Sequence, residues 1–274
     1  MKNKISILAI LENTSLTHNL LAIHGQSLLL DYFGNKYLFD VSESFIALKY
    51  NLDKMEINID KLKAIIISHK HSDHSGALPA LIKLLKKQKL YVLPDQLIPA
   101  KKQNILKDLH DKFTLVLGED KTNIIKTYKD LVVVNKSLKL EKDLYLTGPL
   151  GEEIKEQAVV INLHKKGIVI LTGCSHPTLP VIVKKAQEIT KNRKVYGIIG
   201  GFHFKSLKSY QLRPAISYFK KLNPKFIVPS HCTGYQAVVE LKKSLKDKVV
   251  ISKTGSLGVG SSIEILPKLQ FGLF

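Results

Sequence analysis

Four side chains able to bind a metal crowd into six residues of this chain: His69, His71, Asp73 and His74, within Ser68-His69-Lys70-His71-Ser72-Asp73-His74-Ser75-Gly76. Imidazoles one residue apart face the same way when the residue between them turns outward. Asp73 and His74 then reach round to a second point nearby. A mixture of imidazole and carboxylate serves borderline and hard divalent cations. A cation held this way lowers the pKa of water toward neutrality and polarises an ester or phosphoryl oxygen, which is the chemistry of metal-assisted hydrolysis. The competing reading, a polar turn whose histidines merely cap a helix, has little room beside four ligands in so short a span.

Such ligands need rigid supports, and the flanking residues supply them. Lys63-Ala64-Ile65-Ile66-Ile67 is short and β-branched and predicts a buried strand. Ala77 to Lys87 has helical apolar spacing, with Pro79 near the first turn, where a missing N–H costs least. Three later strands end in the same manner. Ile168–Thr172 runs into Gly173-Cys174-Ser175-His176-Pro177, with a helix from about Thr178. Val195–Ile199 runs into Gly200-Gly201-Phe202-His203, and Phe226–Val228 into Pro229-Ser230-His231-Cys232-Thr233-Gly234. Paired glycines let backbone approach a ligand closely. His203 is read as a substrate contact or an acid, against a structural role.

Residues 4–12 predict a first strand, and 27–32 with 36–40 a hairpin turning at Phe33-Gly34-Asn35 and ending on Asp40. Further strands are expected at 90–94, 113–117, 131–134, 144–147, 158–163 and 167–172, with a lysine-rich helix near 100–112. His18, His24, His110 and His164 lack a strand-end context and read as surface or core residues. His24 lies nearest the hairpin mouth.

The pattern H-x-H-x-D-H after a strand resembles the signature of the metallo-β-lactamase superfamily. The resemblance implies an α/β protein, a four-layer αββα sandwich with a one- or two-metal hydrolytic centre. It assigns His69 and His71 to one metal and Asp73 and His74 to the other, and places a last ligand at His231. His176, read as a ligand against a helix-capping role, is expected to complete the first set and His231 the second. Asp40 fits the aspartate at the mouth of the site, although Val41-Ser42 follows where the family has threonine and glycine. Cys174 stands where most members place a bridging aspartate. It is a further candidate ligand, with a small buried thiol as the alternative. The narrower set Gly-Cys-Ser-His, Gly-Gly-Phe-His and Pro-Ser-His-Cys-Thr-Gly, with Glu156-Gln157-Ala158, is similar to the dihydropterin-ribofuranosylaminobenzene-phosphate synthase-like branch. That branch implies a pterin-related transferase rather than a hydrolase.

Composition bounds the rest. The 274 residues suit a single domain, 1–274, made of two strand-rich halves meeting near 120–135. No apolar run approaches membrane-spanning length. The opening Met1–Leu11 is short of a signal peptide, since Glu12 follows at once and no small-residue cleavage site is visible. A cytoplasmic protein without a membrane partner is expected. The formal charge is +19, yet Arg193 and Arg213 are the only arginines and the lysines, such as Lys83, Lys86, Lys87, Lys101 and Lys102, are scattered. Nucleic-acid readers lean on arginine's planar fork, so specific nucleic-acid binding is not expected. A small anionic substrate gains from the same field. Two cysteines are too few for a disulfide framework.

These readings converge on a metal-dependent hydrolase with one or two divalent cations, zinc first and iron or manganese next. Asp73 and His203 are its catalytic candidates. A pterin-related phosphosugar transferase and a nuclease of the same fold are the alternatives, and the residues leave the substrate and oligomeric state open.

Overall fold

The structure is a computed structural model and describes residues 4–98, 119–253 and 257–273. The helix expected near 100–112 and the strand at 113–117 lie outside the described residues. The chain divides into two compact units, one comprising residues 1–133 and 259–274, the other 134–258.

The first unit opens with β1 (Ile5–Leu11), β2 (Ser27–Tyr32) and β3 (Asn35–Phe39), then α1 (Phe45–Lys54) and β4 (Leu62–Ile66). Two short helices follow, α2 (Ser72–Ser75) and α3 (Leu78–Ile82), then β5 (Lys89–Val92), α4 (Glu119–Lys126) and β6 (Leu131–Val133). β2 and β3 pair antiparallel with Tyr32 opposite Asn35, so the turn is Phe33-Gly34 and Asn35 already belongs to the strand. Both turn residues have positive φ, 53° and 92°, as a two-residue turn matched to strand twist requires. β3 and β4 are parallel. Their carboxyl ends therefore point the same way, and Asp40 and His69 emerge side by side. The helix expected over 77–87 is the short α3, which ends at Ile82, and a separate one-turn helix, α2, precedes it inside the ligand run. Residues 83–87 hold three lysines around Leu84 and Leu85 and fall outside it.

Helix α1 starts on Ser44, whose hydroxyl accepts from the Ala47 N–H at 3.3 Å. It buries Ala47, Leu48, Asn51 and Leu52. Asn51 is tolerated inside because its amide group donates to the Ile10 and Leu21 carbonyls at 2.8 Å and its oxygen accepts from the Leu21 N–H at 2.9 Å.

The second unit runs β7 (Leu138–Glu141), β8 (Leu144–Leu146), β9 (Val159–Asn162) and β10 (Ile168–Thr172), then α5 (Leu179–Thr190), β11 (Val195–Gly201), α6 (Arg213–Leu222), β12 (Phe226–Ser230) and α7 (Tyr235–Leu245). Its sheet has the order β12-β11-β10-β9-β8-β7. The β10–β11 and β11–β12 pairs are parallel and the others antiparallel. All five residues of β10 and of β12 are buried, as strands covered on both faces require. Helix α5 buries Leu179, Ile182, Val183 and Ala186, the i, i+3, i+4, i+7 stripe of an amphipathic helix.

The chain then returns to the first unit. β13 (Ser261–Leu266) pairs antiparallel with β1, and β14 (Gln270–Leu273) forms the outer edge. The first sheet has the order β14-β13-β1-β2-β3-β4-β5-β6. Among the described residues, no helix is long and apolar enough to cross a membrane.

Candidate metal centre

Each sheet delivers its ligands from the carboxyl ends of parallel strands, where side chains of neighbouring strands converge. In the first unit these are Asp40 after β3 and the run from Ser68 after β4. His69 Nε2 and His71 Nδ1 lie 3.1 Å apart. Two imidazole nitrogens on one tetrahedral cation at ordinary bond length are about 3.3 Å apart, so this pair already has the spacing one metal needs. The ring centroids of His69 and His74 are 4.2 Å apart, and His74 Nε2 is 3.8 Å from Asp73 Oδ2. His69, Asp73 and His74 are buried.

Asp40 organises these rings from behind. It is fully buried and accepts from the Ser68 N–H at 2.7 Å, the Ser68 hydroxyl at 2.8 Å and His74 Nδ1–H at 2.7 Å. A buried carboxylate is sustained only by such donors. Because the Ser68 proton goes to Asp40, the Ser68 oxygen, 2.9 Å from His69 Nδ1, accepts from that ring. Both His69 and His74 are thereby set in the Nδ1–H tautomer, with the lone pair on Nε2. Asp40 supports the ligands rather than standing among them. His24, read as surface or core, sits with Nδ1 3.9 Å from Asp73 Oδ2 and 4.0 Å from Glu43 Oε2.

In the second unit the loops after β10, β11 and β12 bring together the donors that the sequence singled out. Ligand atoms of Cys174, His176 and His203 lie within 4.8 Å of one another, as do those of Cys174, His231 and Cys232. The rings of His176 and His203 have centroids 4.6 Å apart. Burial pushes the Cys232 thiol up, but hydrogen bonds with the Cys174 and His203 side chains and the charges of His231 and His203 outweigh it, leaving the thiol well below its ordinary range.

The turn carrying Cys174 and His176 is held by Glu156, which the sequence placed in a motif without a role. Its Oε1 accepts from the Thr172 hydroxyl at 2.8 Å and from the N–H groups of Gly173, Cys174 and Ser175 at 3.0–3.1 Å. Its Oε2 accepts from the His176 N–H at 2.9 Å. Successive N–H groups wrapped on one carboxylate form an anion nest, and the nest fixes where His176 leaves the backbone.

Backbone strain gathers at these strand ends. Asp40, Ser175, His203 and His231 all have φ between 46° and 63°, the left-handed region that such residues rarely occupy. His164, by contrast, pairs on the surface with Asp143 at 2.9 Å. His110 lies outside the described residues.

The paired imidazoles, the tautomers set by Asp40 and the thiol–imidazole cluster of the second unit all fit a divalent transition metal. This fold and these motifs define a class. A profile of the metallo-β-lactamase superfamily matches residues 36–155. The solved structure of a metal-dependent hydrolase of the β-lactamase superfamily matches with a TM-score of 0.75, covering 95% of this chain and 99% of its own at 22% identity. The chain has the metallo-β-lactamase fold, and its resemblance to that superfamily stands. More narrowly, it is similar to 7,8-dihydropterin-6-methyl-4-(β-D-ribofuranosyl)-aminobenzene-5′-phosphate synthase of Methanocaldococcus jannaschii. The two are 29% identical over 249 residues, 78% of this chain and 82% of that protein. A ribonuclease Z of Borrelia hermsii is 37% identical over 59 residues, 22% of this chain and 18% of its own length.

Proposed function

We propose that the chain is a metal-dependent enzyme acting on a small phosphorylated substrate, with His69, His71, Asp73, His74, His176 and His231 as metal ligands. The observation that carries this reading is the 3.1 Å pair of imidazole nitrogens in a strand-end turn whose tautomers are set by a buried carboxylate. A bound divalent cation, most readily zinc, supplies Lewis acidity and a lowered pKa for water. The chain's own contribution is positional. Asp40 and Ser68 hold two rings in the ligating tautomer, and Glu156 fixes the turn carrying His176. Asp73 accepts a proton or orients the attacking group. His203, exposed at a strand end, faces an anionic group of the substrate, and the lysine-rich surface raises the local concentration of anions.

Two reactions suit this arrangement. Hydrolysis of an ester or phosphoester follows from the ligand types. Condensation of a reduced pterin with a phosphoribosylated aminobenzene is supported by the likeness to the Methanocaldococcus jannaschii synthase over most of both chains, and it is the reaction to test first. The short match to ribonuclease Z gives the nuclease reading less support.

The test is a panel on the purified, metal-loaded protein: phosphodiester, phosphomonoester, lactone and RNA substrates, beside a reduced pterin bearing a leaving group with a phosphoribosylated aminobenzene. Product formation only in the last mixture identifies the synthase, and turnover of a hydrolytic substrate identifies the hydrolase. If nothing turns over and His69→Ala leaves the metal content unchanged, the reading is wrong.

A further inference from the structure

The parallel strands β10, β11 and β12 are neighbours in the second unit's sheet, so their amino ends lie side by side just as their carboxyl ends do. The loops after the carboxyl ends carry His176, His203 and His231. The amino ends lie about 20 Å from them, the length of a strand such as β11.

Four segments meet at the amino ends. Residues 164–166 lead into β10, 191–194 into β11 and 220–225 into β12, while 242–248 close α7. Backbone bonds tie them together. The Ile168 N–H donates to the Lys194 carbonyl at 2.8 Å, the Lys225 N–H to the Tyr196 carbonyl at 2.9 Å, and the Val250 N–H to the Ile227 carbonyl at 2.9 Å. Lys194 Nζ donates to the Lys165 carbonyl at 3.3 Å.

Of the 20 residues in these segments, 12 are lysine or arginine and only Asp247 is acidic, against 42 basic and 23 acidic residues in the whole chain. Ten of the 12 are exposed. Lysines dispersed along the sequence are therefore gathered in space by the topology. Cations in a last helical turn complement the helix dipole, but that leaves Lys165, Lys166, Arg193, Lys194 and Lys225 without such a role. Lys243 pairs with Glu240 at 3.2 Å and His164 with Asp143 at 2.9 Å, which neutralises only a fraction of this charge. The segments contain no Phe, Tyr or Trp, and their leucines are half-buried at Leu222 and buried at Leu245. Amphipathic membrane binding adds inserted apolar groups to charge, and single-stranded nucleic acid is held by stacking on aromatic rings. This end offers neither. It offers point charges on a rigid frame, which suit the regularly spaced phosphates of a duplex.

We propose that the amino ends of β10, β11 and β12 form a docking face for the phosphate backbone of double-stranded nucleic acid, held without reading its sequence. Three neighbouring strands span about 10 Å, and a DNA duplex carries one charge per ~1.7 Å of its axis, so about six phosphates meet the face. The face uses no candidate metal ligand and does not depend on which reaction the chain performs.

The experiment follows fluorescence anisotropy of labelled DNA and RNA duplexes with the full-length protein over a range of salt. The slope of log K against log salt should be about −5. Lys165→Glu/Arg193→Glu/Lys225→Glu changes one exposed residue before each strand. It should weaken binding at least about 30-fold and flatten the slope by about 3. Lys63→Glu/Lys83→Glu/Lys87→Glu makes the same charge change at exposed positions of the first unit and should weaken binding less than about threefold. Tighter binding of one duplex than the other identifies RNA or DNA as the partner. In wild-type protein, which needs no variant to fold, saturating duplex should protect Lys194 and Lys225 from acetylation by a succinimidyl ester and leave Lys63 and Lys83 reactive. Equal weakening by the two triple variants, unprotected Lys194 and Lys225, or tighter binding to single-stranded RNA or to phosphatidylserine vesicles would overturn the face.

Discussion

Asp40 holds two imidazoles in one tautomer, His74 directly and His69 through Ser68. Asparagine in its place keeps the shape but turns an amide N–H₂ toward one of those donors. Asp40→Asn should leave the fold intact and weaken metal binding about 10–100-fold, as loss of a carboxylate behind a ligating histidine does. Competition with a chromogenic chelator measures this, and wild-type affinity would show that His74 is oriented by something else. Glu156 supports backbone rather than a ring. Glu156→Gln replaces an anionic acceptor of five donors with a group that offers one oxygen, and should cost about 3 kcal/mol. The urea midpoint should fall at unchanged slope.

Elements, in this fold, matter chiefly by where they stop. β10 and β11 approach so closely that a Cβ on Gly200 would lie 2.1 Å from the Thr172 carbonyl oxygen, and Gly200 has φ of 132°. Gly200→Ala meets both strain and collision, so its cost should reach about 1–3 kcal/mol or more, read as a lowered thermal midpoint. A contact just past α4 gives a pH-dependent test. Tyr128 donates to the Gln88 carbonyl at 2.7 Å, and burial, reinforced by the charge of Asp130, raises its hydroxyl above the ordinary value. The folded protein then keeps a proton that the unfolded chain releases near pH 10, at about the ordinary tyrosine value. Stability from this group is full below that pH and lost as pH rises through the raised value. Tyr128→Phe should therefore be less stable at neutral pH yet lose stability less steeply above about pH 10. Parallel curves for the two proteins would contradict the assignment.

For the molecule as a whole, charge and metal set the behaviour to be expected. At a formal +19 with only two arginines, association with RNA or DNA should be electrostatic and sequence-independent. Filter binding should show it falling steeply between low and physiological salt, and sequence-selective binding that survives physiological salt would contradict this. Metal bound only by the folded state adds to stability by mass action. Stripping it with a chelator should lower the thermal midpoint by about 5–10 °C, and re-addition of zinc should restore it.

The strands and the ligand run were legible from sequence because their signals are local. A β-branched run such as Ala64–Ile67 has one stable use, and four ligands within six residues need no partner from elsewhere to be noticed. Strand-end histidines at 176, 203 and 231 showed for the same reason. What the sequence could not reveal is which polar groups face each other across the strands. Asp40 and Ser68 are 28 residues apart and meet only because β3 and β4 run parallel in register. Glu156 looked like part of a motif, but its purpose is the backbone of residues 172–176, reached through the antiparallel β9–β10 pair. Cys232 stands beside His231 in the sequence, and the parallel β10-β11-β12 order brings its loop to Cys174. Local composition determines which residues can do chemistry. Long-range pairing decides which buried charges are satisfied and by whom, because an unpaired carboxylate cannot be left in the interior.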